Sequence, residues 1–150
     1  MDIKSEEARS RNMSKIRSKN TRPELFIRSE LFKRKHRFRV NYSIVEGRPD
    51  IYFSRIKVAV FVHGCYWHRH GGCKFAYTPK SNNEFWLSKF SANQKRDGIV
   101  NEALLNSGIR VLVIWECSIK KMKNNTCIYN EMMSRIENFI FRENQCYLEI

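Results

Sequence analysis

The stretch Val58-Ala-Val-Phe-Val62 followed by His63-Gly-Cys65-Tyr-Trp67-His68-Arg-His70-Gly-Gly-Cys73 decides how this chain is read. Five apolar residues rich in β-formers run without interruption into imidazoles, thiols and an adjacent aromatic pair. So short and continuous an apolar run reads as a central strand buried on both faces. Immediately after it, residues 63–73 hold three of the four histidines and two of the five cysteines. One strand end therefore delivers metal ligands, proton carriers and stacking surfaces to one place. Just upstream, Gly47-Arg-Pro-Asp50-Ile-Tyr-Phe53 offers a carboxylate on a neighbouring strand.

Working outward, Arg110 to Trp115 reads as a second buried central strand, and Lys57 to Val62 is the first. Phe38 to Tyr42 and Asp50 to Phe53 are further strands. Thr21-Arg-Pro-Glu24 predicts a helix start, with Thr21 as N-cap, Pro23 in the first turn and Glu24 closing a capping box. Leu25, Phe26, Leu31 and Phe32 would give that helix its buried side up to about Lys35. The longest helix starts at a second capping box, Ser81-Asn-Asn-Glu84, and stops at Gly108. On it, Trp86, Phe90, Asn93, Asp97, Val100 and Leu104 share one face. Asn93 and Asp97 interrupt that apolar stripe. They either reach into a polar site or lie at the stripe's exposed end, bound to Lys89, Arg96 or solvent. A final helix from Ile128 to Arg142 turns Met132, Met133, Ile136, Phe139 and Ile140 toward the core. Strands alternating with helices place the chain in the α/β class.

With 150 residues, 42% of them hydrophobic, the chain is long enough to bury a real core as one domain. Lys and Arg outnumber Asp and Glu by 28 to 15, leaving a net charge of +13. The sequence pI is near 9.8, and such a balance favours a polyanion partner, nucleic acid first. No apolar run reaches about 18 residues and no signal pattern precedes the charged start, so the cytoplasm is expected and membrane spanning is not. An odd number of cysteines clustered with histidine suggests thiolates on a metal rather than disulfides. Residues 1–20 form a basic arm and 21–150 a single domain. Across residues 4–22, Lys4, Arg9, Arg11, Lys15, Arg17, Lys19 and Arg22 meet only Glu6 and Glu7. The arm is either a solvated terminus or a segment that tracks phosphates and orders on nucleic acid.

Cys65, His70, Cys73 and, from the end of the second central strand, Cys117 are within reach of one tetrahedral ion. Three thiolates and an imidazole suit zinc, in a filled shell with a structural role. Cys127 and Cys146 have no histidine neighbours and read as ordinary thiols. His63, His68 and Asp50 remain. A carboxylate with a hard cation such as magnesium, next to two imidazoles, is an arrangement for phosphodiester hydrolysis. One imidazole would deprotonate water and the other assist the leaving oxygen. Tyr66 and Trp67 either cover the metal site or act as wedges that replace base stacking, and Trp86 could join them.

With these residues in view, the chain resembles the very-short-patch mismatch-repair (Vsr) endonucleases, a branch of the restriction-endonuclease-like superfamily. The resemblance runs through Arg9-Ser-Arg-Asn-Met13, Thr21-Arg-Pro-Glu24, Gly47-Arg-Pro-Asp50, Val60-Phe-Val-His63-Gly-Cys65-Tyr-Trp67-His68, Asn83-Glu-Phe-Trp86, Asn93-Gln-Lys-Arg-Asp97 and Val113-Ile-Trp-Glu-Cys117. It implies a central mixed sheet flanked by helices, with a structural zinc site and the basic arm. It also implies a magnesium-dependent nick in duplex DNA, 5′ of the thymine of a T·G mismatch. In that scheme Asp50 and the Val62 carbonyl hold magnesium, His68 activates water and His63 assists charge on the scissile phosphate. Glu24, Asn93 and Asp97 support the site, while Cys65, His70, Cys73 and Cys117 hold zinc. Tyr66, Trp67 and Trp86 would intercalate beside the mismatch, with Met13 pressing from the opposite groove. The implied setting is bacterial cytoplasm at the nucleoid, as a monomer linked to a cytosine-5 DNA methyltransferase and mismatch-repair proteins. Val62 stands where the family pattern has threonine, Tyr66 where phenylalanine is common, and Gly71-Gly72 lengthens the loop by one residue. A less selective restriction-like nuclease and a zinc-stabilised DNA-binding module without catalysis are the competing readings of the same residues.

Overall fold

A computed structural model describes residues 5–150, so Lys4 of the basic arm lies outside the described residues. The elements are α1 (Glu6–Ser14), α2 (Arg22–Lys33), β1 (Arg39–Val40), β2 (Ile51–Phe53), β3 (Val58–His63), α3 (Asn83–Asn106), β4 (Arg110–Trp115), α4 (Glu116–Asn124), α5 (Thr126–Phe141) and β5 (Tyr147–Glu149). The strands make one mixed sheet in the order β1-β2-β3-β4-β5. The first three pair antiparallel, while β3, β4 and β5 run parallel.

All six residues of β3 are buried, the five of the apolar run as predicted and His63 besides, so the strand begins and ends one residue later than Lys57 to Val62. Side chains alternate along a strand, so each face of β3 serves a different layer. Val58, Val60 and Val62 pack with Ile27 and Leu31 of α2 and with Met133, Ile136, Phe139 and Ile140 of α5. Ala59 and Phe61 face the other way, onto Val111, Val113 and Leu104 of α3. His63 ends the strand on this second side, beside Trp115. Helices thus cover both faces, and the parallel pair β3 and β4 is the spine of the domain.

α2 begins as its sequence predicts, with Thr21 Oγ1 accepting from Glu24 N at 3.4 Å. Its buried stripe differs from the expected one. Glu24, Ile27 and Leu31 face inward, whereas Leu25 and Phe32 are 48% and 73% exposed. One residue step rotates about 100° around a helix, enough to move that pair off the core. α3 starts one residue late: Asn82, in the left-handed region at φ 51°, is the cap, and its side chain makes no capping bond. The strand expected over Phe38 to Tyr42 shortens to two residues, and the last helix starts two residues early, capped by Asn125.

Three elements go beyond those expected from the sequence. α1 buries no residue, α4 follows β4 without a turn, and β5 is a three-residue edge strand. Among the described residues no helix is long and apolar enough to cross a membrane.

Gly47 matters for how β2 is entered. At φ 77° it adopts a backbone that side chains rarely accept, and a Cβ there would lie 2.3 Å from Cγ1 of Val100 on α3. Gly47→Ala is therefore expected to cost about 2–3 kcal/mol through backbone strain and overpacking, measured from the urea midpoint. A change within about 0.5 kcal/mol would contradict this packing.

Candidate active site

The C-terminal ends of β3 and β4 border a cleft of about 940 Å³. Asp50, Val62, His63 and His68 line it from the sheet side, Glu24 from α2, and Asn93 and Asp97 from α3. Met13 of α1 joins them with Ile16, Arg17 and Lys19. The crevice beyond the carboxyl ends of parallel strands is the usual ligand position in open α/β sheets.

His68 and Asp97 form the most directed pair. Their Nδ1 and Oδ2 atoms lie 2.6 Å apart. An ionised carboxylate only accepts, so in neutral His68 the proton sits on Nδ1 and the Nε2 lone pair is left for a water. His63 stacks on His68 with ring centroids 3.8 Å apart and planes within 5°. Burial pushes His63 down to about 3, with the His68 charge acting the same way and Asp97 opposing, so it is neutral near pH 7. Asn93 donates from Nδ2 to the Trp67 carbonyl at 3.1 Å and accepts from Arg96 at 3.3 Å. The polar break in the α3 stripe thus has partners in the loop after β3, and for Asn93 also in Arg96.

Asp50 stands just before β2, with Oδ2 accepting the Val62 N–H at 2.7 Å. Burial pushes its carboxyl up to about 7, and the Glu24 charge adds to this against the Val62 N–H, Arg28 and His68. Two carboxylates facing one cleft, Glu24 itself being buried, are the surroundings a hard divalent cation fits. Beneath them lies Arg28, its side chain 11% exposed. It donates to Asn20 Oδ1 at 2.7 Å, Asn41 Oδ1 at 3.1 Å, the Asp50 carbonyl at 3.2 Å and Glu24 Oε2 at 3.3 Å. Sequence reading missed Arg28, Asn20 and Asn41. The one available signal was the (i, i+4) spacing of Glu24 and Arg28 on a helix.

The second cluster brings together Cys65, His70, Cys73 and Cys117, whose ligand atoms all lie within 4.8 Å of one another. His70 Nδ1 is 3.7 Å from Cys65 Sγ and 3.4 Å from Cys117 Sγ. A tetrahedron of sulfur and nitrogen at zinc-like bond lengths has edges of roughly 3.4–3.8 Å, so the four could hold a soft divalent ion. Burial pushes the Cys65 thiol up to about 12, so its thiolate form needs such a cation. All five cysteines are free thiols. Gly72 turns the loop at φ 69°, and Cys73 reaches the cluster.

Of the residues expected to intercalate, Trp67 and Met13 line the cleft, and Tyr66 and Trp86 pack against Trp67. Tyr66 meets Trp67 edge-on at 5.0 Å, and Trp86 lies 6.0 Å from Trp67. Lys89 sits over Trp67 at 5.3 Å and over Trp86 at 5.8 Å. Arg69 was not singled out from sequence, yet it grips this loop. It donates to the carbonyls of Tyr66, Ala76 and Tyr77 at 3.3, 2.9 and 2.9 Å, with its guanidinium 4.0 Å over Phe90.

Residues 1–74 match the family described as DNA mismatch endonuclease Vsr. The type II nicking enzyme V.NmeAIP of Neisseria meningitidis is 43% identical over 136 residues, covering 90% of this chain and 93% of that protein. V.XorIIP of Xanthomonas oryzae, another type II nicking enzyme, is 42% identical over 121 residues, 81% of this chain and 88% of that one. The DNA mismatch endonuclease Vsr of Escherichia coli is 33% identical over 142 residues, 95% of this chain and 89% of the relative. Together with the acid–base cleft, these relatives define a DNA-nicking endonuclease. The chain belongs to the Vsr family of DNA mismatch endonucleases.

The raised Asp50 carboxyl carries a stability signature in cation-free protein. Its pKa of about 7 stands above the unfolded value of 3.8, so its contribution is complete below 3.8 and lost as pH rises through about 7. Asp50→Asn keeps an acceptor for Val62 without a charge. In EDTA its melting temperature should exceed the parent's at pH 8, with the gap closing toward pH 4. Parallel curves across that range would show that Asp50 is not destabilised by its burial.

Proposed function

We propose that this enzyme nicks duplex DNA 5′ of the thymine in a T·G mismatch, the opening step in repairing deaminated 5-methylcytosine. One observation carries the reading: Asp50, His63 and His68 share a cleft with the stacking ring of Trp67. Hydrolytic groups and a wedge on the same cleft suit cleavage beside a loosened base pair. The name of the Escherichia coli relative supports the mismatch, and its 95% coverage of this chain makes the transfer reasonable.

In this reading Asp50 and the Val62 carbonyl hold magnesium. The ion, when bound, stabilises negative charge on the phosphate under attack. His68, aligned by Asp97, takes a proton on Nε2 from the attacking water as the new P–O bond forms and the bond to the leaving oxygen breaks, that oxygen taking up a proton from solvent water. His63, neutral and buried, donates an N–H to a non-bridging phosphate oxygen. Asn93 keeps Trp67 and His68 in register through the loop carbonyl, and Glu24 fixes the entry of α2 beside Asp50. Cys65, His70, Cys73 and Cys117 hold structural zinc that stiffens the loop carrying Tyr66 and Trp67. Those rings, with Trp86, enter the stack beside the mismatch, while Met13 approaches from the other groove.

The fold in this reading is restriction-endonuclease-like. Residues 1–20 serve as a basic arm on the phosphates and 21–150 as the nuclease domain. The enzyme acts as a monomer in the cytoplasm at the nucleoid, alongside a cytosine-5 DNA methyltransferase and mismatch-repair proteins.

Paired T·G and T·A duplexes, each with magnesium or EDTA, test the function directly. Nicking of the T·G duplex alone, dependent on magnesium and abolished in Asp50→Ala, is expected. Equal cutting of both duplexes would point to a less selective nuclease, and tight binding without cutting to a DNA-binding module. Chelation strong enough to strip zinc should release about one equivalent and alter tryptophan fluorescence as the loop loosens. Protein without bound zinc and with an unchanged loop would overturn the structural-ion assignment.

A further inference from the structure

We propose that Arg28 is a positioning residue that couples the seating of the N-terminal segment over the cleft to the placement of Asp50. The proposal rests on the reading of Asp50 as the cation ligand. Arg28 donates to four segments at once: Asn20 before α2, Glu24 within it, Asn41 after β1 and the Asp50 carbonyl before β2. A planar fork of five N–H groups can serve such a set, and a lysine ammonium cannot.

Three features make this more than a packed ion pair. Asn20 and Asn41 both sit in the left-handed region, at φ 55° and 45°, where the chain changes direction. Their side chains bond to each other at 3.0 Å as well as to Arg28, so one guanidinium pins both reversals. The Asp50 carbonyl takes a second bond from the Asn41 N–H at 3.3 Å, which fixes the peptide that carries the cleft carboxylate. Finally, Ile16, Arg17, Ser18 and Lys19, immediately before Asn20, line the same cleft as Asp50. Phosphates that draw Arg17 and Lys19 into place load the chain at Asn20, and that load passes through Arg28 to the Asp50 peptide. Arm contacts therefore govern the rate of nicking as well as the affinity for DNA. Arg28 Nε is itself buried without a hydrogen-bond partner.

A double-mutant cycle in the full-length protein tests the coupling. Asn20→Gly deletes the acceptor while keeping a residue at ease with positive φ. With saturating T·G duplex and magnesium, Asn20→Gly should lower the single-turnover nicking rate about tenfold, and the equilibrium dissociation constant for the duplex in EDTA by contrast should change less than about threefold. Arg28→Lys should lower the same rate, and adding Asn20→Gly to it should lower it no further. Amide exchange at Asn20 and Asn41 should accelerate in Arg28→Lys. An unchanged rate in Asn20→Gly, or effects that simply multiply, would overturn the coupling. Should Arg28→Lys fail to fold, Asn41→Gly replaces it in the cycle with the same expected outcome. Asp50→Asn is run beside them: full activity there defeats the cation-ligand reading, whereas an inactive Asp50→Asn with a normal Asn20→Gly defeats only this proposal.

Discussion

The bond from the Val62 N–H to the Asp50 carboxylate, 2.7 Å long, fixes the start of β2 against the end of β3. It holds a charge inside a cleft where burial and Glu24 both disfavour that charge. Removing ions from water costs several kcal/mol each unless partners compensate. Here Arg28 compensates from beneath, while the open side of the cleft is left for a ligand. A carboxylate kept in such surroundings marks chemistry more than stability.

α3 acts as a ruler across the site. Asp97 aligns His68 and Asn93 holds the Trp67 carbonyl, one helical turn apart. Toward its N-terminus the same helix supplies Trp86, Lys89 and Phe90 to the aromatic group around Trp67. Leu104, near its other end, anchors the helix in the core against β3 and β4. Because both sets of contacts sit on one rigid rod, Trp67 and His68 cannot drift independently. The loop after β3 has no strand or helix ladder until Asn83, so its shape depends on cross-links. The Cys and His cluster closes one end of it and Arg69 ties the other.

Much of the cleft was legible because its residues break local rules. His63 and Asp50 are polar groups at the ends of apolar strands, and Asn93 and Asp97 interrupt an apolar helix face. Such breaks need partners. The stripe of α2 was misjudged because Leu25 and Phe32 are apolar yet point outward, while the buried position belongs to Glu24. Hydrophobicity alone gave no hint that a carboxylate would be inside. α1 and α4 were not expected for different reasons: α1 buries nothing, and α4, which buries Ile119 and Met122, grows directly from the end of β4 with no turn signal between them.

Sequence by itself determined the two central strands, the density of ligands after the first of them, the basic charge and the motifs that identify the family. Those are properties of composition, period and short-range order. Only the tertiary structure decided that Trp67 borders the cleft with Tyr66 and Trp86 packed against it, and that His63 is neutral and stacked on His68. It alone joined Asn20, Arg28, Asn41 and Asp50 into one network. Those relationships depend on side-chain direction and burial across distant segments, quantities that chain order does not encode locally.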